Sequence, residues 1–112
     1  MRKTNELRLG NWVSNVNDVP MIVKAIYEDT IYVDFKGNVG GLWEFNKYEP
    51  FKPIQLTEEI LLKCDCYWVR YIENVDGKFF FQYFDLEIEL PYLHTFQNLY
   101  FALTNEELNI NL

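Results

Sequence analysis

The apolar residues of this chain change their period at Pro91, and that change limits the fold more than any other feature. Before it, "TIYVDFK" (30–36) alternates strictly. Ile31, Val33 and Phe35 face one way and Tyr32, Asp34 and Lys36 the other, the two-residue period of a half-buried strand. "KFFFQYF" (78–84) sets Phe79, Phe81 and Tyr83 against Phe80, Gln82 and Phe84. "DLEIEL" (85–90) sets Asp85, Glu87 and Glu89 against Leu86, Ile88 and Leu90. After Pro91, residues Leu93, Phe96, Leu99, Tyr100 and Leu103 recur every three or four positions, within an arc about 120° wide on a helix. Strands first and a helix last predict an α+β fold.

The turn chemistry supports that order. "NWVSNV" (11–16) and "PMIVKAIY" (20–27) flank Asn17-Asp18, a turn dipeptide. Gly37-Asn38 and Gly40-Gly41 bracket a reversal after which "LWEFNKY" (42–48) returns as a fourth strand. Short strands joined by short turns predict a small, bent antiparallel unit, for which an SH3-like barrel is one closure. Pro50 and Pro53 in "EPFKPIQ" (49–55) hold the chain extended and mark a boundary between halves. In "LTEEILLKCD", Thr57 is a good N-cap with Glu58 and Glu59 in the first turn, so a helix of about seven residues is expected. "YWVRYIE" (67–73) then reads as a strand, with Asp76-Gly77 a type I′ hairpin signal. Thr104 and Glu107 form a T-x-x-E capping box that predicts a further helical turn. The expectation is a single domain, 1–112, with a β subdomain (1–50) packed on a helix, β-meander, helix subdomain (54–112).

A chain of 112 residues, 49% hydrophobic and 24% charged, can bury a core without a metal or disulfide. Its net charge is −7 with no basic block, which disfavours direct binding of nucleic acid and adhesion to anionic membranes. An acidic surface that imitates nucleic acid remains open beside the plainer reading of a solvated face. "MRKTNELRLG" has no apolar run behind its basic residues, so no secretory signal is expected, nor is a membrane helix. Cys64 and Cys66 are the two cysteines, and a reducing cytoplasm is the expected compartment.

Candidate chemistry centres on the second face of the C-terminal helix. His94, Gln97, Asn98 and Phe101 share it, and Gln97–Phe101 and His94–Asn98 are (i, i+4) pairs. The structural reading is a helix buried on both sides with its polar groups bonded. The functional reading is a partner contact or a small-ligand site at these four residues. One histidine without a visible base or nucleophile makes catalysis the weaker expectation. Cys64-x-Cys66 with His94 lacks the C-x2–4-C spacing and fourth ligand of structural zinc, so no metal or cofactor is expected. Asp85, Glu87 and Glu89 read as a solvated face or a charged edge strand. Trp12, Trp43 and Trp68 with Tyr32, Tyr48 and Tyr71 either fill cores or furnish an aromatic groove for a peptide. No phosphate loop or nucleophile elbow occurs.

"NELRLGNWV", "KPIQLTEEILLK" and "LHTFQNLYFALTNEEL" resemble a family of small uncharacterised proteins of gut anaerobic bacteria, often encoded in phage or other mobile elements. Its members look like "NELRIGN", "PIPLTEEWLLKFGF" and "YVHQLQNLYFALTGEEL". This chain departs from them at Ile60, at Cys64-Asp65-Cys66, at Thr95-Phe96 and at Asn105. The resemblance implies a mobile-element origin and a shared fold, and brings no activity. The leading expectation is therefore a small acidic, non-enzymatic protein that binds another protein through its aromatic or acidic surface. The alternatives are a ligand-binding protein or enzyme built around His94, Gln97 and Asn98, and an acidic nucleic-acid mimic.

Overall fold

The computed structural model describes residues 7–28, 30–45 and 51–112. The chain forms two units, Met1–Ile54 and Gln55–Leu112, divided just after Pro53, within the stretch 49–55 expected to separate the halves. Together they are mixed α+β, with two antiparallel sheets and a C-terminal helix.

The first unit holds β1 (Trp12–Ser14), β2 (Pro20–Tyr27), β3 (Thr30–Asp34), β4 (Trp43–Phe45) and β5 (Lys52–Pro53). Their order in the sheet is β4-β3-β2-β1-β5. The Asn15 side chain shapes the first turn, its Oδ1 accepting from the N–H groups of Asn17 (2.8 Å) and Val19 (3.1 Å). Asp18 beside them is left-handed, at φ +62°. Ser14 thereby comes opposite Pro20 and the β1–β2 register is set. The β2–β3 register slips between Val23 and Ala25, a bulge that bends the sheet. Val13, Met21, Val23, Ile31, Val33 and Phe51 fill the core, with Phe35 and Phe45 against it. The alternation in β3 is thus realised as written in the sequence.

Two features of this unit differ from expectation. The extended stretch that marks the boundary between halves also contributes a strand, β5, which pairs with β1 through Val13–Pro53 and Ser14–Lys52. Proline fits there because β5 ends the sheet order and owes no ladder hydrogen bond on its far side. The sheet is open rather than a closed barrel: among the described residues, no ladder joins β4 to β5. The rest of the expected fourth strand, 46–48, lies outside the described residues.

The second unit begins with α1 (Glu58–Leu62). Thr57 caps it as anticipated, Oγ1 accepting from the Ile60 N–H at 3.1 Å. A 3-10 helix (Tyr67–Tyr71) and a sheet ordered β6 (Ile72–Val75), β7 (Lys78–Tyr83), β8 (Leu86–Glu89) follow. Asp76 (φ +53°) and Gly77 (φ +84°) form the two-residue turn between Val75 and Lys78, as a type I′ turn requires. Residues 67–71 were expected to be extended. They coil because the Cys66 sulfur accepts from the Trp68 N–H at 3.3 Å, and because the coil stacks aromatic rings that a strand would send to opposite faces.

The last element is α2 (Leu93–Thr104). It ends at Asn105 (φ +60°), whose N–H donates to the Phe101 carbonyl at 2.7 Å. Asparagine tolerates this left-handed stop. Thr104 is therefore the last helical residue and not an N-cap: Oγ1 donates to the Tyr100 carbonyl (2.8 Å) and accepts from the Glu106 N–H (3.1 Å). Beyond it Leu108 is buried, and the tail pairs with the end of α1 through Asp65 N–H to the Asn109 carbonyl (2.9 Å).

Candidate interaction surface

The 3-10 helix is what assembles the most prominent surface of Gln55–Leu112. One turn of it brings Tyr67, Trp68 and Tyr71 together, with ring centroids 5.9 Å (Tyr67–Tyr71) and 5.7 Å (Trp68–Tyr71) apart. β7 presents Phe81 and Tyr83 on one face, and both helical rings pack there. Trp68 lies 5.4 Å from Tyr83, and Tyr71 lies 4.8 Å from it at nearly a right angle. Such edge-to-face pairs add about 0.5–1.5 kcal/mol each beyond the area they bury. Phe81 is buried, while Trp68, Tyr71 and Tyr83 remain half-exposed and Tyr67 is exposed.

Phe84 extends this surface at the β7–β8 turn. It is 88% exposed, and its ring meets Tyr83 edge-on at 4.4 Å. Its backbone is left-handed, φ +54°, a conformation uncommon for a bulky side chain. The Arg70 guanidinium sits 4.1 Å from the centre of the Tyr67 ring, a cation–π contact. The Tyr67 and Tyr71 hydroxyls stand 3.5 Å apart. That shared bond and the Arg70 charge hold the Tyr67 phenol below its ordinary range, and the same bond pushes Tyr71 above it.

An open groove of about 280 Å³ lies among α1, the 3-10 helix, β6 and β7. Leu61 and Phe79 are buried at its base and Val69 and Ile72 are half-buried in its walls. At the rim are Leu62, 87% exposed, and Glu58, whose Oε1 accepts from the Asn74 amide at 3.1 Å. A second groove of about 220 Å³ passes Gln55, Lys78, Glu89 and Tyr92.

In α2 the structure agrees with the reading of a helix buried on both sides and corrects the expectation that the lone imidazole points away from the interior shared with the leucines. His94 and Gln97 are buried (4% and 2% exposed) alongside Leu93 and Phe96, whereas Leu103, assigned to the core stripe, is 44% exposed. Asn98 and Phe101 are half-buried. Burial runs nearly around the helix, leaving Ala102 and Leu103 as its exposed positions. A projection by polarity sends histidine and glutamine outward, but both can enter a core when their polar atoms are met. The Tyr92 ring stacks flat on His94, 5.5 Å away and 9° from parallel; both His94 and Gln97 have partners, although the buried His94 Nδ1 itself makes no hydrogen bond among the described residues. Neither of the two grooves is lined by His94, Gln97, Asn98 or Phe101.

The other singled-out residues scatter. Trp43 is exposed on β4, 5.6 Å from Phe35 at a steep angle, and Trp12 is half-buried on β1. Tyr32 is half-buried on β3, and Tyr48 lies outside the described residues. Of the described members of the expected aromatic groove, Trp68 and Tyr71 are in ring contact with each other. Cys64 is buried beside α1, its thiol donating to the Ile60 carbonyl at 3.5 Å, and both cysteines are free. Among the described residues, no three histidine, cysteine or carboxylate side chains converge as a metal site would require. Asp85 lies in the β7–β8 turn, leaving Glu87 and Glu89 on the face of edge strand β8. Across the strands, Glu73 and Glu89 flank the half-buried Phe80.

Charge divides sharply between the units. Met1–Ile54 carries seven acidic and seven basic residues, and Gln55–Leu112 ten acidic and three basic, so the entire net charge belongs to the second unit. Among the described residues no helix is long and apolar enough to cross a membrane. Sequence reasoning gave no weight to Phe84, Arg70 and the groove, because a turn phenylalanine signals nothing until its backbone conformation is known. Comparison of the chain with protein-family models, with curated proteins and with solved structures finds no match.

Proposed function

We propose that this chain is a small acidic, non-enzymatic protein-interaction module of phage or mobile-element origin, acting in the cytoplasm. It engages another protein through the aromatic surface of Gln55–Leu112. The observation that carries this reading is Phe84. A large ring at a left-handed position, nearly fully in water, is a cost to the folded chain that glycine or asparagine would avoid. A partner covering it repays that cost. Tyrosine and tryptophan around it are the residue types that dominate contact energy at protein interfaces.

The test is affinity capture from cells that carry the gene, comparing the unaltered chain with Phe84→Ser and Tyr67→Ser. Loss of the same partner with both variants, while circular dichroism and melting stay unchanged, supports the reading. Equal capture by all three chains sinks it. The concentration of carboxylates in the second unit favours one further reading, an acidic nucleic-acid mimic. In that case the protein would displace DNA from a basic DNA-binding partner, and charge-reversing Glu73, Glu87 and Glu89 would abolish the displacement.

A further inference from the structure

We infer that the groove walled by Val69 and Ile72 seats one apolar side chain of a basic polypeptide segment, with an arginine or lysine of that segment meeting Glu58. The inference rests on the reading that Gln55–Leu112 binds a protein, and it names the chemistry of the segment.

Shape and charge argue for it separately. An apolar base formed by Leu61 and Phe79 suits an aliphatic or aromatic anchor, and about 280 Å³ is space for one such side chain rather than a folded ligand. Leu62, held in water at the rim, would be covered by the segment that carries the anchor. Glu58 is the one charged residue among those lining the groove. Its bond to Asn74 uses one carboxylate oxygen, and a carboxylate accepts several such bonds. The surrounding field has the same sign. Of the three basic residues in this unit, Lys63 pairs with Glu59 (3.9 Å) and Arg70 covers the Tyr67 ring. Lys78 is absent from the lining of this groove and lines the second one, together with Glu89. A cationic segment is therefore drawn to this unit and an anionic one repelled.

The experiment titrates the isotope-labelled full chain with three synthetic peptides, following amide shifts by NMR. One peptide has a central leucine flanked by arginines, the second has glutamates for the arginines, and the third has serine for the leucine. The arginine–leucine peptide is expected to shift the amides of Leu61, Val69, Ile72 and Phe79. Its serine version should bind about tenfold more weakly or worse, and the glutamate peptide should leave the groove amides unmoved. Glu58→Gln should weaken binding by about threefold, and Leu62→Ser, at an exposed position, should weaken it without a change in melting. Val39→Ser, at an exposed position of Met1–Ile54, should leave it unaltered. Three outcomes overturn the inference: equal shifts with the glutamate peptide, shifts that map away from the groove, or no response to any peptide. Binding lost with Phe84→Ser but kept with Leu62→Ser would also overturn it, while leaving the aromatic surface as the docking site. Failure of the capture experiment with groove binding intact would remove that surface instead.

Discussion

Cys64 and Cys66 are two residues apart in the chain and have different chemistry. Burial, and then the neighbouring Cys66 sulfur, push the Cys64 thiol up to about 12. Cys66 is also raised by burial, but N–H groups of Trp68 and Val69 pull it back. Thiolate is the reactive form, so Cys66 should be alkylated first by a limiting reagent and Cys64 only on unfolding. The pH dependence follows in sign. An unfolded cysteine ionises near pH 8.5, so the folded state is favoured in full below that value. The advantage shrinks as pH rises toward 12, because the unfolded chain ionises first. Urea denaturation from about pH 8 to 11 should show stability declining, and declining less steeply in Cys64→Ala. Identical slopes in the two chains would mean that the thiol is not protected. Asn11 is a second case where one residue's role is hidden in the sequence. Its buried Oδ1 accepts from the Arg8 N–H at 2.7 Å, and its own N–H closes a turn on the Arg8 carbonyl (3.0 Å) around Gly10 (φ +89°). The "RLGN" run therefore reads as turn chemistry, with glycine where a type II turn requires a positive φ.

The β7–β8 hairpin shows stability and recognition pulling apart within one element. Replacing Phe84 by glycine relieves the left-handed strain at a position where the ring contributes one contact, to Tyr83. Phe84→Gly should raise the unfolding free energy by about 1 kcal/mol while weakening capture of the partner. A variant that loses stability would show instead that the Phe84–Tyr83 contact outweighs the strain. The neighbouring elements show where local sequence suffices. β2 spans Pro20–Tyr27 as read from its residues, and Asp76-Gly77 sets its turn, because both depend on contacts a few positions apart. Tyr67–Tyr71 was misread because its β-branched and aromatic residues favour strands on average, and ring packing on Phe81 and Tyr83 overrides that preference. The face of α2 was misplaced for a related reason. Hydropathy cannot foresee that Tyr92 supplies a flat partner for His94. The aromatic surface was legible as composition, since Trp68 and Tyr71 stood out, but not as a place.

At the scale of the molecule, a neutral sheet unit and a unit of net charge −7 lie on one chain, and they should respond differently to salt. Like charges confined to 58 residues repel one another in the folded state more than in an expanded one. Screening relieves that repulsion, with a Debye length of about 10 Å at 0.1 M salt and about 3 Å at 1 M. The first unit has balanced charge and a core of Val13, Val23, Ile31 and Val33 whose stability comes from apolar burial, and has no comparable repulsion to relieve. Native-state hydrogen exchange can separate the two, because strands β2 and β3 report on one unit and β6 and β7 on the other. A neutral-anion salt such as sodium chloride is suited to this, since sulfate would strengthen apolar burial in both units. Raising its concentration should slow exchange in β6 and β7 by several-fold and leave β2 and β3 nearly unchanged. The same salt should weaken the arginine–leucine peptide, so the unit becomes more stable as its partner chemistry is screened. Equal protection gains in both sheets would show that the carboxylates of Gln55–Leu112 are too well solvated to repel, and would remove the electrostatic basis for a cationic partner.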